Sequence, residues 1–98
     1  MSNEVTLVVF RTYPWGDVIA LFPELPADPL GTYCECYQHI GQHGSADYHQ
    51  VIYDTRPSDP TEYEPLLSEL RQLGYRPIVR KRVDYRTHQR RRQRAIAG

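Results

Sequence analysis

Two cysteines and two histidines crowd one short stretch, Cys34, Cys36, His39 and His43, in a C-x-C-x2-H-x3-H string. Thiolate and imidazole are ligands that zinc takes tetrahedrally. The same residues suggest a thiol hydrolase, in which Cys36 needs His39 or His43 within hydrogen-bond reach and Asp54 or Glu35 to orient that base. Local structure argues against both. Thr32 to Ile40 reads as a strand, so Cys34, Cys36, Gln38 and Ile40 share one face and Tyr33, Glu35, Tyr37 and His39 the other. His39 then points away from both thiols, and structural zinc sites draw their ligands from two separate knuckles. A Cys34–Cys36 disulfide is disfavoured because neighbouring same-face side chains on a strand diverge. No nucleophile elbow, phosphate loop or HExxH string is present. The expectation is therefore no metal, no cofactor and no catalytic residue. The cysteines serve as small core hydrophobes, and Tyr33, Glu35, Tyr37 and His39 form a partly exposed stripe.

A second chemistry lies in the charge distribution. The chain is neutral, with 12 basic and 12 acidic residues. Residues 1–75 nevertheless carry only Arg11, Arg56 and Arg71 against 11 acids, a net −8, while residues 76–98 carry nine Arg or Lys against Asp84, a net +8. This is an acidic body with a basic arm. Arg80, Lys81, Arg82, Arg86, Arg90, Arg91, Arg92 and Arg94 are candidates for phosphate contact, with Tyr85 and His88 able to stack on bases. Arginine runs of this kind imply no sequence readout.

The elements that must position these residues read as follows. Val5 to Tyr13 is a β-branched and aromatic strand, Pro14-Trp15-Gly16-Asp17 a turn, and Val18 to Phe22 a continuously apolar strand covered on both faces. Pro23, Pro26 and Pro29 predict a loop without ladder pairing. Thr32 to Ile40 is the third strand, and Gly41-Gln-His-Gly44 is a turn. Ser45 could cap a short helix over 46–53, with a strand at 51–53 as the competing reading. The main helix carries Tyr63, Leu66, Leu67, Leu70 and Leu73 on one stripe. A capping box, Asp59 with Glu62 or Thr61 with Glu64, opens it, and Gly74 closes it. Arg76 to Val83 is a last, edge strand beside either the first or the third.

The order β-β-β-short α-α-β predicts an α+β fold: an antiparallel sheet of about four strands with one main helix on one face. Residues 1–83 form one acidic domain, and 84–98 an arginine-rich tail, disordered or helical on binding. One helix cannot cover both faces. The second face, with Tyr33, Tyr37 and Trp15, is expected to be open to a protein partner or a second copy. No leader-like apolar run opens the chain and none is long enough to cross a bilayer, which points to the cytoplasm, to reduced thiols and away from a membrane.

The stretches Gly16-Asp-Val-Ile-Ala-Leu-Phe-Pro-Glu24, Tyr37-Gln-His-Ile-Gly-Gln-His-Gly-Ser-Ala-Asp47 and Leu66 to Tyr75 resemble a group of small uncharacterised bacterial, plasmid and phage proteins. The resemblance covers roughly residues 13–79 and leaves out the tail. It implies no activity. It implies a mobile-element context, where small proteins bind and block host factors such as defence nucleases. Two function classes follow. The first is a non-enzymatic protein binder, an inhibitor of a host protein, acting through Trp15, Tyr33, Glu35, Tyr37, His39 and His43. The second is a nucleic-acid-binding accessory protein acting through residues 80–94. A small Cys/His enzyme is the third and weakest.

Overall fold

A computed structural model of the chain describes residues 5–39 and 42–97, without the side chain of Tyr85. The inward position expected of Ile40, the Gly41 end of the expected turn and the stacking role of Tyr85 lie outside the described residues. The elements are β1 (Val5–Thr12), β2 (Val18–Pro26), β3 (Cys34–Gln38), β4 (Gln42–Ala46), α1 (Tyr48–Asp54), β5 (Arg56–Pro57), α2 (Pro60–Gln72), β6 (Arg76–Val79) and α3 (Tyr85–Ala97). Among the described residues no helix is long and apolar enough to cross a membrane.

The class is α+β, but the sheet has six strands rather than about four. Its antiparallel part runs β4-β3-β2-β1-β5. The last strand lies beside the first: β6 pairs with β1 in parallel, Val5 with Arg76 through Val8 with Val79, and β5 takes the same edge further along. Two expectations fail for identifiable reasons. The Gly-Gln-His-Gly segment is not a turn throughout, since Gln42 to Ala46 pairs with β3 in one-to-one register. Asp47 rather than Ser45 caps α1, its Oδ1 accepting from Gln50 N–H at 3.2 Å. The prolines also do not end β2. The strand continues to Pro26, with a register shift between Phe22 and Pro26 that absorbs the missing N–H of Pro23.

β1 and β2 are apolar on both faces because both faces are covered. On one face Val8, Phe10, Ala20, Phe22 and Tyr37 meet Leu66, Leu67 and Leu70 of α2. Each of those leucines contributes about 1.5–3 kcal/mol by burial. α2 opens with the Asp59–Glu62 capping box, the Glu62 carboxylate accepting from Asp59 N–H at 2.9 Å. The Arg56 guanidinium, forked onto Glu62 at 2.7 Å twice, holds that carboxyl at about 2. Gly74, at φ 100°, closes α2: Tyr75 N–H reaches Leu70 C=O and Gly74 N–H reaches Arg71 C=O. Leu73 therefore sits at the cap, half exposed, and is not part of the buried stripe.

On the other face Val9, Ile19, Leu21, Cys34, Cys36 and Ala46 meet Tyr48 and Val51 of α1, and α3 packs against β2. Among the described residues, β1, β2 and β3 are covered on both faces, so the open face expected around Tyr37 is not found there. Tyr37 is a core residue, 1% exposed, because α2 needs a floor on that side as well. The arginine segment expected to be disordered or helical on binding is a helix docked on the body.

Candidate nucleic-acid interface

α3 begins at Asp84. Its Oδ1 accepts from Arg86 N–H at 3.2 Å and its Oδ2 from the Thr87 hydroxyl at 2.7 Å. The first turn of a helix presents free N–H groups that such a carboxylate satisfies. Asp84 is held below the ordinary carboxylate range, first by the Thr87 hydroxyl, with a smaller effect from the nearby charge of Arg90.

Like charges at i, i+3 and i+4 oppose this helix, and its inner side shows what offsets them. Arg92 is fully buried. Its guanidinium donates to the carbonyls of Pro23 and, from Nε at 3.2 Å, of Gly31. Pro23 falls inside the register shift of β2, so the bulge that accommodates the proline supplies the acceptor. Gly31, at φ +69°, has Gln93 Cγ only 3.1 Å from where a Cβ would lie, which lets the loop approach α3 closely. Arg91 reaches Glu24 Oε2 at 2.5 Å, and His88 Nδ1 lies 3.1 Å from the same oxygen. Burial works against the Glu24 charge, but the hydrogen bonds of Arg91 and His88 outweigh it and hold the carboxyl below its ordinary range. Arg91, Arg92 and His88 are thus used in docking the helix, and His88 is not placed to stack on a base.

Arg86, Arg90 and Arg94 remain exposed on the outer side, and Arg80, Lys81 and Arg82 are exposed in the segment leading to it. Among the described residues no carboxylate lies within ion-pair distance of Lys81, Arg82, Arg86, Arg90 or Arg94. The three helical arginines are spaced by four residues, about 6 Å along the axis, so they form one line of guanidinium groups.

The first chemistry suggested by the sequence is dismantled by the sheet. Cys36 stands opposite Gly44 and Tyr37 opposite His43, so Cys36 and His43 project from different faces. Burial pushes the Cys34 thiol up to about 11 and raises that of Cys36, the reverse of an activated nucleophile. Among the described residues no three His, Cys, Asp or Glu side chains form a metal-binding group. The histidines join α2 instead. His39 Nδ1 lies 2.8 Å from Glu69 Oε2, the Tyr37 hydroxyl donates to Glu69 Oε1, and His43 packs edge-on against Tyr37 and lies 3.3 Å from the Tyr75 hydroxyl. Glu69, which sequence reading missed, ties the end of β3 to the helix. A cleft of about 670 Å³ opens between Tyr75, after α2, and Ala95 of α3, with Glu24 and His43 at its edge. Glu24 is committed to α3 and His43 to Tyr37 and Tyr75, so these two do not form an acid–base pair there. Glu35 is partly buried on β3 and Tyr33 half exposed before it.

Trp15 stands apart from these groups in the β1–β2 turn. It is 69% exposed, stacked on Tyr13 and hydrogen-bonded to Asp17. Comparison with family models, with curated proteins and with solved structures finds no match for the chain.

Proposed function

We propose that the chain is a non-enzymatic binding protein whose working surface is the outer side of α3 with Arg80, Lys81 and Arg82, and whose ligand is the phosphate backbone of a nucleic acid. The observation that carries this reading is the division of α3 into two charged sides. Arg91 and Arg92 hold the helix on the body, while Arg86, Arg90 and Arg94 face solvent in line. Ordering costs conformational entropy when a disordered arm binds; here the body has already met that cost. Guanidinium groups suit phosphate oxygens, and an arginine line by itself implies no sequence readout, so the reading is one of backbone binding.

The test is fluorescence anisotropy with labelled duplex DNA and duplex RNA at low salt, comparing the full chain with Arg86→Gln/Arg90→Gln/Arg94→Gln. These side chains take no part in docking, so the variant keeps its melting temperature. Loss of affinity by about tenfold or more is expected, and unchanged affinity would remove the reading. Ending the chain at Val83 is a poorer test, because it strips α3 from β2.

A second reading, a protein binder that blocks a host factor in the mobile-element setting, is favoured by one specific observation: Trp15 is exposed yet fixed. With Tyr37 buried, that turn is the strongest remaining support for it. The two readings separate by variant, since the arginine line and Trp15 belong to different elements.

A further inference from the structure

Helix cover stops short of the start of β1. From Val8 onward the strand is buried, but Val5 is 51% exposed and Leu7 only partly buried. β6 runs parallel beside this end, Val5 next to Arg76 and Leu7 next to Ile78, so these four side chains share one face of the sheet. Ile78 is 38% exposed, and Leu73, at the cap of α2, 53%. Single exposed apolar residues are ordinary. Here three of them, from β1, the end of α2 and β6, line adjoining clefts. The cleft of about 670 Å³ has Val5, Leu7, Leu25, Leu73 and Tyr75 among its walls, and a second of about 510 Å³ has Val5, Tyr75, Pro77 and Ile78. Val5 and Tyr75 belong to both, so the two form one groove. Tyr75 is a fixed wall: its ring stacks on Phe22 with centroids 5.3 Å apart, and its hydroxyl lies 3.3 Å from His43 Nε2. Contiguous apolar surface with a polar rim marks an interaction site.

The rim indicates the occupant. Arg71, in the last turn of α2, and Arg76 line the second cleft. Residues 1–75 hold only three arginines, and two of these are committed. Arg11 donates to the carbonyls of Ile52 and Thr55, and Arg56 forks onto Glu62. Among the described residues no carboxylate lies within ion-pair distance of Arg71. The one carboxylate among the described lining residues, Glu24, is already paired with Arg91. A groove with a positive rim thus interrupts a body of net −8. Such a rim selects a carboxylate, and the apolar walls select aliphatic side chains beside it. With Val5 and Leu73 half exposed, the groove is too open to enclose a small molecule as binding pockets do. It suits a segment of chain laid along it.

We infer that the groove between the start of β1, the end of α2 and β6 is a docking site for an acidic, aliphatic segment of a partner protein. It uses neither the arginine line of α3 nor Trp15, so it stands apart from both readings above.

The probe is a labelled hexapeptide alternating leucine and glutamate, followed by fluorescence anisotropy against the full chain. The same peptide with glutamine in place of glutamate is its comparison. Saturable binding is expected, about threefold to fivefold weaker for the glutamine peptide. Leu73→Asn and Ile78→Thr, both at partly exposed positions, should each weaken both peptides by about fivefold while the melting temperature moves little. Arg71→Gln should leave the glutamine peptide as it was and remove the preference for glutamate. Absence of saturable binding, equal affinity for the two peptides, or indifference to Leu73→Asn and Ile78→Thr overturns the inference. Weakening in Arg86→Gln/Arg90→Gln/Arg94→Gln instead would place the acidic peptide on the arginine line, which overturns the groove and leaves the nucleic-acid reading standing. A sedimentation mass that grows with protein concentration and returns to that of one chain in Leu73→Asn would assign the groove to a second copy, and overturns the inference too.

Discussion

α2 and α3 have the same length, 13 residues each, and pack on one sheet by different chemistry. α2 docks through Leu66, Leu67 and Leu70 on Phe10, Phe22 and Tyr37. α3 docks through a buried guanidinium on two backbone carbonyls and an Arg–Glu–His group at Glu24. The first contact is non-directional and indifferent to salt. The second is directional, sensitive to charge and fails when one partner is lost. One helix is therefore held mainly by buried leucines, with Glu69 tying it to β3, and the other mainly by hydrogen bonds of its arginines.

The comparison is broken most severely on the α2 side. Leu70→Ala, at a fully buried position, should cost about 2–5 kcal/mol, read as a lowered midpoint in urea unfolding with both helices lost together. On the α3 side, Arg92→Leu keeps the volume but leaves the Pro23 and Gly31 carbonyls without their donor. A cost of about 1–3 kcal/mol is expected, with amide exchange accelerating in α3 before α2. Simultaneous acceleration in both would mean that the two helices open as one unit, and the contrast would fail.

A smaller effect sharpens the contrast by pH. The Glu24 carboxyl is lowered in the folded chain, so its contribution is complete above its unfolded value and is lost as pH falls through the lowered one. α3 should lose exchange protection as pH drops below about 4.3, while α2 keeps its own. Glu24→Gln should remove that dependence and cost less than about 1 kcal/mol, since the group is near the surface. The smallest effect is at the thiols. With Cys34 raised to about 11, thiol-reagent labelling at pH 8 should track global unfolding. Fast labelling of the native chain would contradict the burial described.

α2 was legible in the sequence because every signal for it is local: leucines at helical spacing, a capping box within four residues, and Gly74 at the end. The alternation of β3 was legible too, but not its burial. Which face of a strand is covered depends on what packs there, and α2 and α3 arrive from 30 and 60 residues away or so. β4 was missed because Gly-Gln-His-Gly has the composition of a turn, and an edge strand needs only backbone pairing with β3. The docking of α3 was missed for the same reason in stronger form. Its partners, Pro23, Glu24 and Gly31, lie in a proline-rich segment with no periodicity to mark them, and the acceptor carbonyls exist only once the bulge has formed. Of the candidate site residues, Trp15 is exposed as expected, Tyr37 is not, and the arginines divide into a docking set and an outer set along a helix whose wheel the sequence contains but whose anchored side it does not mark.

The most direct measurement is the salt dependence of duplex DNA binding by the full chain and by Arg86→Gln/Arg90→Gln/Arg94→Gln. A slope of log K against log salt that falls in magnitude by about 2.7 on losing the three arginines, near 0.9 per phosphate contact, is the predicted result. A slope near zero for the full chain, or one unchanged by the triple substitution, would contradict the assignment of α3 as a phosphate-binding surface.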